Sequence, residues 1–81
     1  MGNPSQNAFH ERLYKENFKY IHSLAGCRLT DKTLVDEVVQ LTFLTAFHNI
    51  EKLQADPNPL TWLLRTAMKI IVQCNGGASN A

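Results

Sequence analysis

The chain has 81 residues, of which 44% are hydrophobic and 19% are charged, and its formal net charge is +1. These values place it among ordinary globular proteins and indicate one small domain. No apolar run approaches the ~20 residues that a membrane-spanning helix needs, and the N-terminus lacks the features of a secretory signal. The two cysteines are too few for a disulfide framework and match no metal-binding spacing. The near-neutral charge points to no particular partner.

The first predicted element is a helix over residues 8–28, preceded by a disordered segment, residues 1–7. Apolar residues recur in this helix at intervals of three and four, a spacing that places them on one face. They are Phe9, Leu13, Tyr14, Phe18, Ile21, Leu24 and Ala25. This face is expected to pack against the other helices.

The second predicted helix covers residues 31–51. Thr30 or Asp31 is suited to cap its start, because their side chains accept hydrogen bonds from the free amides of a first turn. Its apolar set is wider than one face needs, so part of it should remain at the surface. The set consists of Leu34, Val35, Val38, Val39, Leu41, Phe43, Leu44, Ala46, Phe47 and Ile50.

Residues 54–59 are predicted to form a loop, because Pro57 and Pro59 prevent a helix from passing through this point. A third helix should run from Pro59 to Cys74 and end at a cap formed by residues 75–77. Residues 76–81 then form a flexible tail, or an addition from cloning. No stretch alternates as a strand does, so the fold class is all-α. Residues 8–75 are predicted to form an orthogonal bundle of three helices, or four with a short extra turn.

Residues for catalysis or metal binding are scarce. His10, His22 and His48 are scattered along predicted helices, and Cys27 and Cys74 are isolated from one another. No glycine-rich phosphate loop, zinc-binding helix motif or calcium loop occurs. We therefore predict a protein that is not an enzyme and that has no metal and no cofactor.

The informative stretch is residues 35–47, Val-Asp-Glu-Val-Val-Gln-Leu-Thr-Phe-Leu-Thr-Ala-Phe, followed downstream by Trp62-Leu63. The acidic pair, Val-Gln, Thr-Phe and Ala-aromatic pairs at this spacing resemble region 2 of bacterial RNA polymerase sigma factors. The resemblance is to the extracytoplasmic-function group of these sigma-70-like proteins. Phe9, Leu13 and Tyr14 also match the first helix of the family. The resemblance covers residues 8–74.

The resemblance implies that the second helix binds core RNA polymerase, against the clamp coiled coil of the largest subunit. Asp36 and Gln40 share a helix face with Glu37 beside them, and the face continues through Phe43 and Phe47. Such a face suits a basic amphipathic helix, because aromatic side chains supply contact area and charges set the register. The residues alone leave another interpretation open, in which the acids complement a helix N-terminus and both phenylalanines are core.

The resemblance also implies that the third helix and the loop before it recognise and melt the promoter −10 element, partly as single-stranded DNA. Such a surface needs cations for phosphates and polar groups for unstacked bases. The candidate DNA-binding residues are Lys52, Asn58, Thr61, Arg65, Lys69 and Gln73. The family usually has Asn and Asp at positions 69 and 73 and then an Arg-rich run, which is missing here. A solvated face is the alternative interpretation for Arg65 and Lys69, and Trp62 is expected to be core.

The sequence thus predicts a transcription-initiation domain in the bacterial cytoplasm, with core RNA polymerase and promoter DNA as partners. The family's second domain, a helix-turn-helix that reads the −35 element, is not expected within these 81 residues, which are either a fragment of a two-domain factor or a naturally short sigma-like chain. The alternative function is a sigma-like interaction module that docks on polymerase or on an anti-sigma factor, or forms a homodimer, without reading promoters. The missing basic run and the wide apolar set of the second helix favour this alternative. An unrelated three-helix DNA-binding module fits less well, because the third helix is mostly apolar.

Overall fold

The computed structural model describes the backbone of residues 4–79 and the side chains of residues 4–74. This part of the chain contains helices and no strand, which confirms the all-α prediction. The helices are α1 (Pro4–Arg28), α2 (Lys32–His48), α3 (Ile50–Ala55) and α4 (Pro59–Ser79). The three long helices pack against one another, and α3, the short extra element, contacts all three.

Helix α1 begins at Pro4, four residues before the predicted start at residue 8. A proline at the first position of a helix costs no hydrogen bond, because the first amides have no partner within the helix. Residues 4–7 of the segment predicted to be disordered are therefore helical. Residues 1–3 lie outside the described residues.

Helix α2 is capped by Asp31, one of the two predicted candidates, whose carboxylate accepts a 2.9 Å hydrogen bond from the backbone N–H of Thr33. The predicted helix over 31–51 is, however, divided at Asn49 into α2 and α3. The backbone N–H of Asn49 donates to the carbonyl of Ala46, and its side chain donates to the carbonyl of Thr45. Asn competes for backbone groups in this way, which explains why it ends α2.

The loop before α4 is shorter than predicted, because Gln54 and Ala55 belong to α3. The carboxylate of Asp56 accepts a 2.8 Å hydrogen bond from the backbone N–H of Asn58, which closes the turn across Pro57. Helix α4 then begins at Pro59, as predicted.

The predicted end of the last helix is wrong, because α4 continues through residues 75–77 to Ser79. No glycine among the described residues has a positive φ, so Gly76 and Gly77 do not form the left-handed cap. Glycine permits that cap without requiring it, and a helix already formed extends at a cost of about 1 kcal/mol per glycine. Residues 76–79 of the predicted tail are thus helical, and residues 80 and 81 lie outside the described residues.

The hydrophobic core lies where α1, α2 and α4 meet. Its fully buried members include Ile21 from α1, Val38 from α2, Leu53 from α3 and Leu63 from α4. Thr42 is the buried polar side chain of α2, and its hydroxyl donates a 2.7 Å hydrogen bond to the carbonyl of Val38. The core therefore fixes α2 along its length and leaves its other face to solvent.

Candidate functional site

The line of contact between α1 and α2 is fixed by polar contacts at both ends. Near the start of α1, His10 Nε2 lies 2.9 Å from the backbone carbonyl oxygen of Phe43 on α2. Near the other end, His22 Nε2 lies 3.9 Å from Asp36 Oδ1. The two pairs run in opposite directions along the chain, so α1 and α2 are antiparallel and the face containing Asp36 borders α1.

A continuous set of aromatic and histidine rings follows this line of contact. Helix α1 contributes His10, Tyr14, Phe18 and His22, at intervals of four residues, and α2 contributes Phe43 and Phe47; we call these six residues the aromatic row. Successive ring centroids along α1 are 5.2 Å apart for Tyr14 and Phe18 and 5.5 Å apart for Phe18 and His22. Tyr14 also meets Phe43 at 4.8 Å, and His10 meets Phe47 at 5.1 Å. These contacts hold the rings in place between the two helices.

The predicted polymerase-binding residues differ in exposure. Asp36, Glu37 and Gln40 are exposed, and Phe47 is half-buried. Phe43 is only 3% exposed, as the alternative interpretation expects of a core ring. The reason is that Phe43 lies at the edge of α2 that α1 covers, beneath Tyr14 and His10.

The alternative interpretation, in which Asp36 and Glu37 stabilise the N-terminus of a helix, is not needed to explain α2. Asp31 supplies the cap, and the first turn of α2 contains no acidic residue. Among the described residues, Asp36 Oδ1 lies 3.9 Å from His22 Nε2, and the side chains of Asp36 and His22 are 73% and 46% exposed. Exposed pairs of this kind contribute little to stability, because solvent screens them. Asp36 and Glu37 are therefore accessible to a partner.

Helix α2 also has apolar surface that the core does not use, as predicted. Leu41 is 45% exposed and Leu44 is 54% exposed. Both lie on the side of α2 that carries Glu37, since residues three and four apart share a helix face. This part of the surface is thus apolar and acidic together.

The predicted DNA-binding residues are all exposed, but they come from three different parts of the chain. Lys52 belongs to α3, Asn58 to the loop before α4, and the others to α4. Within α4, Arg65, Lys69 and Gln73 follow one another at intervals of four residues and share a face. We call these three residues the α4 face.

Trp62 is half-buried rather than core, and it packs against the edge of the hydrophobic core. Its position three residues before Arg65 puts it beside the α4 face. Sequence reasoning missed this partial exposure, because a Trp-Leu pair at a helix start gives no sign of how far the tryptophan is covered. It also missed the exposure of Tyr14 and Phe18, although the four-residue spacing of the rings along α1 is visible in the sequence.

The described residues also bear on metal binding and on membrane insertion. No group of three His, Cys, Asp or Glu side chains there could hold a metal ion. Within the same residues, no helix is long and apolar enough to cross a membrane.

Comparison with known protein families identifies the chain. The family model for sigma-70 region 2 matches residues 13–73. The match includes the exposed acids of α2, the α3–α4 loop and the α4 face. No curated protein and no solved structure is significantly similar to the chain. Because the family model covers most of the sequence, the chain belongs to the sigma-70 region 2 family of transcription initiation factors.

Proposed function

We propose that this domain binds core RNA polymerase and engages the promoter −10 element, as region 2 of an extracytoplasmic-function-type sigma factor in the bacterial cytoplasm. The observation that carries the proposal is the exposed group Asp36, Glu37 and Gln40 on α2, within the stretch that matches the family. The polymerase partner is the clamp coiled coil of the largest subunit. No catalytic step is part of this function.

The chemistry of α2 supports docking on a basic helix. Asp36 and Gln40 are one helical turn apart, so a partner helix can meet both, with Glu37 beside them. Leu41 and Leu44 supply exposed apolar area on the adjoining surface. Apolar contact supplies affinity, while the acids attract a cationic partner and set its register.

The docking experiment measures the affinity of the whole chain for the isolated clamp coiled coil by fluorescence anisotropy. We expect Asp36→Arg to weaken binding by tenfold or more, because it puts a cation opposite cations, and Gln40→Ala to weaken it severalfold. The matched control is Glu16→Arg, an equal charge change at an exposed position of α1. Glu16 is two residues from Tyr14, about 200° around the helix and therefore away from α2. Equal binding by the Asp36 variant and wild type would refute the docking proposal.

Binding of the −10 element rests on the α4 face with Lys52, Asn58 and Thr61. Arg65 and Lys69 are the exposed cations of α4, and two or three phosphate contacts give weak binding at physiological salt. We therefore expect the isolated chain to bind a single-stranded −10 oligonucleotide only at low salt. If Arg65→Ala and Lys69→Ala together leave this binding unchanged, promoter engagement through α4 is refuted.

The net charge of +1 and the missing Arg-rich run favour a second candidate function. In it, the domain docks on polymerase or on an anti-sigma factor, or pairs with a second copy, without reading promoters. Leu41 and Leu44 are the exposed apolar residues that would serve such contacts. Clamp binding without any oligonucleotide binding would favour this function over the first. Light scattering of wild type beside a Leu41→Ser, Leu44→Ser variant tests self-association.

A further inference from the structure

The exposed part of the aromatic row has no assigned role. Tyr14 is 41% exposed and Phe18 is 36% exposed. Their centroids are 5.2 Å apart, and each ring is supported by another, Phe43 beneath Tyr14 and His22 beside Phe18. Exposed aromatic rings held in place by neighbours present fixed π faces without a large entropy cost on binding.

A carboxylate lies beyond one end of these rings. His22 contacts both Phe18, at 5.5 Å between rings, and Asp36, at 3.9 Å. A single imidazole therefore separates the ring of Phe18 from the carboxylate of Asp36. On the α1 side, Lys15 is paired with Glu11 at 3.3 Å, so these two residues add no net charge.

Aromatic faces next to a carboxylate fit one kind of side chain best. A guanidinium can stack on a ring and still donate hydrogen bonds to a carboxylate in its own plane, whereas an ammonium is a point charge that remains strongly hydrated. Among the described residues, the cation over a ring is Lys19, which lies 5.1 Å from the centroid of Tyr20 on a different side of α1. The Tyr14 and Phe18 faces are therefore not occupied by a lysine or arginine of this domain.

We propose that Tyr14 and Phe18 extend the docking surface of α2 onto α1 and receive an arginine side chain of the partner helix, while the carboxylate of Asp36, beyond His22, attracts this cation. This inference rests on the proposed polymerase-docking function and specifies the chemistry of the partner at that site. The acid selects a cationic partner, and the two rings select arginine over lysine. The docking surface is thus shared by two helices whose relative position is fixed by their ring contacts.

The test compares Phe18→Leu, Tyr14→Leu and Phe18→Trp for binding to the isolated clamp coiled coil. Leucine keeps apolar area and removes the π face, so each leucine variant should weaken binding by about 3- to 10-fold, whereas tryptophan should bind at least as tightly as wild type. The matched control is Tyr20→Leu, which removes an exposed ring from α1 two residues away from Phe18 and should leave binding unchanged. Circular dichroism and thermal midpoints of all variants establish that each is folded.

The outcomes separate this inference from the proposed function. If Asp36→Arg weakens binding while Phe18→Leu and Tyr14→Leu do not, the aromatic extension is wrong and docking through α2 stands. Equal losses in the Tyr20 and Phe18 variants would also overturn it, because the effect would not depend on position. If neither the Asp36 variant nor the leucine variants change binding, or if wild type does not bind the coiled coil, both proposals fall.

Discussion

The aromatic row and the α4 face are candidate binding surfaces that differ in how firmly neighbouring residues hold their side chains. In the aromatic row, each ring contacts at least one other ring across or along the helices, at 4.8 to 6.4 Å between centroids. On the α4 face, neither Arg65 nor Lys69 forms an ion pair with another described residue. Rings held by neighbours lose little freedom when a partner binds, whereas each long free side chain loses about 0.5–1.5 kcal/mol. We therefore expect specific affinity from the first surface and weak, salt-dependent binding from the second.

The largest expected effect is the loss of Phe43, the buried ring on which the aromatic row rests. Phe43→Ala should lower the free energy of unfolding by about 3–5 kcal/mol, because it leaves a cavity between α1 and α2. In a domain of this size that corresponds to a fall in thermal midpoint of roughly 12 °C or more. Calorimetry measures it, and Leu44→Ala is the control, since an exposed change should stay within ~0.5 kcal/mol. Similar midpoints for the two variants would mean that Phe43 contributes no more to the stability of the core than an exposed leucine does.

Phe43 also shows what the sequence could and could not predict. Its spacing from Phe47 puts both rings on one face of α2, so the periodicity alone cannot distinguish a core ring from a surface ring. The difference comes from α1, where Tyr14 and His10 cover Phe43. Contacts between helices are not encoded in the period of either helix.

The starts of α2 and α4, which depend on a single capping or proline residue, were predicted correctly, whereas the ends of these two helices were not. A cap at Thr30 or Asp31 and the start of α4 at Pro59 were predicted, because each depends on one side chain and its immediate backbone. The division at Asn49 and the continuation through Gly76 were not, since neither residue forbids or requires a helix end. The exposed apolar surface of α2, at Leu41 and Leu44, was predicted from an apolar set wider than one helix face needs.

The next largest effect concerns the α4 face. The salt dependence of binding affinity distinguishes this face from the aromatic row. Removing Arg65 and Lys69 together should lower the slope of log affinity against log salt for a single-stranded oligonucleotide by about 1.4, or 0.7 per phosphate contact. Affinity for the clamp coiled coil should change less than twofold. Arg12→Ala with Lys19→Ala, two exposed cations of α1, is the charge-matched control. An equal decrease in slope for both pairs would mean that net charge, and not the α4 face, attracts the oligonucleotide.

A smaller effect on stability is expected at His10, which contacts α2 at the end of the aromatic row nearest the start of α1. Its Nε2 lies 2.9 Å from the Phe43 carbonyl oxygen, and its ring lies 5.1 Å from that of Phe47. His10→Ala should lower the free energy of unfolding by about 1 kcal/mol, the usual net contribution of one hydrogen bond. Chemical denaturation measures it, with His48→Ala, an exposed histidine of α2, as the control. A loss no larger than that of the control would mean that the contact does not hold the two helices together.

The smallest effect is a gain in the free energy of unfolding. It tests whether the stability of the domain and its affinity for the clamp coiled coil can be changed independently. Gly26 lies within α1 without a positive φ, and a Cβ built there meets no atom within 4 Å. Gly26→Ala should therefore raise the free energy of unfolding by about 0.5–1 kcal/mol, through the better helix propensity of alanine. A lower stability would mean that α1 ends before Gly26 in solution. Unchanged clamp affinity in this variant, beside reduced affinity in Phe18→Leu, would show that the rings contribute to binding directly and not through the stability of α1.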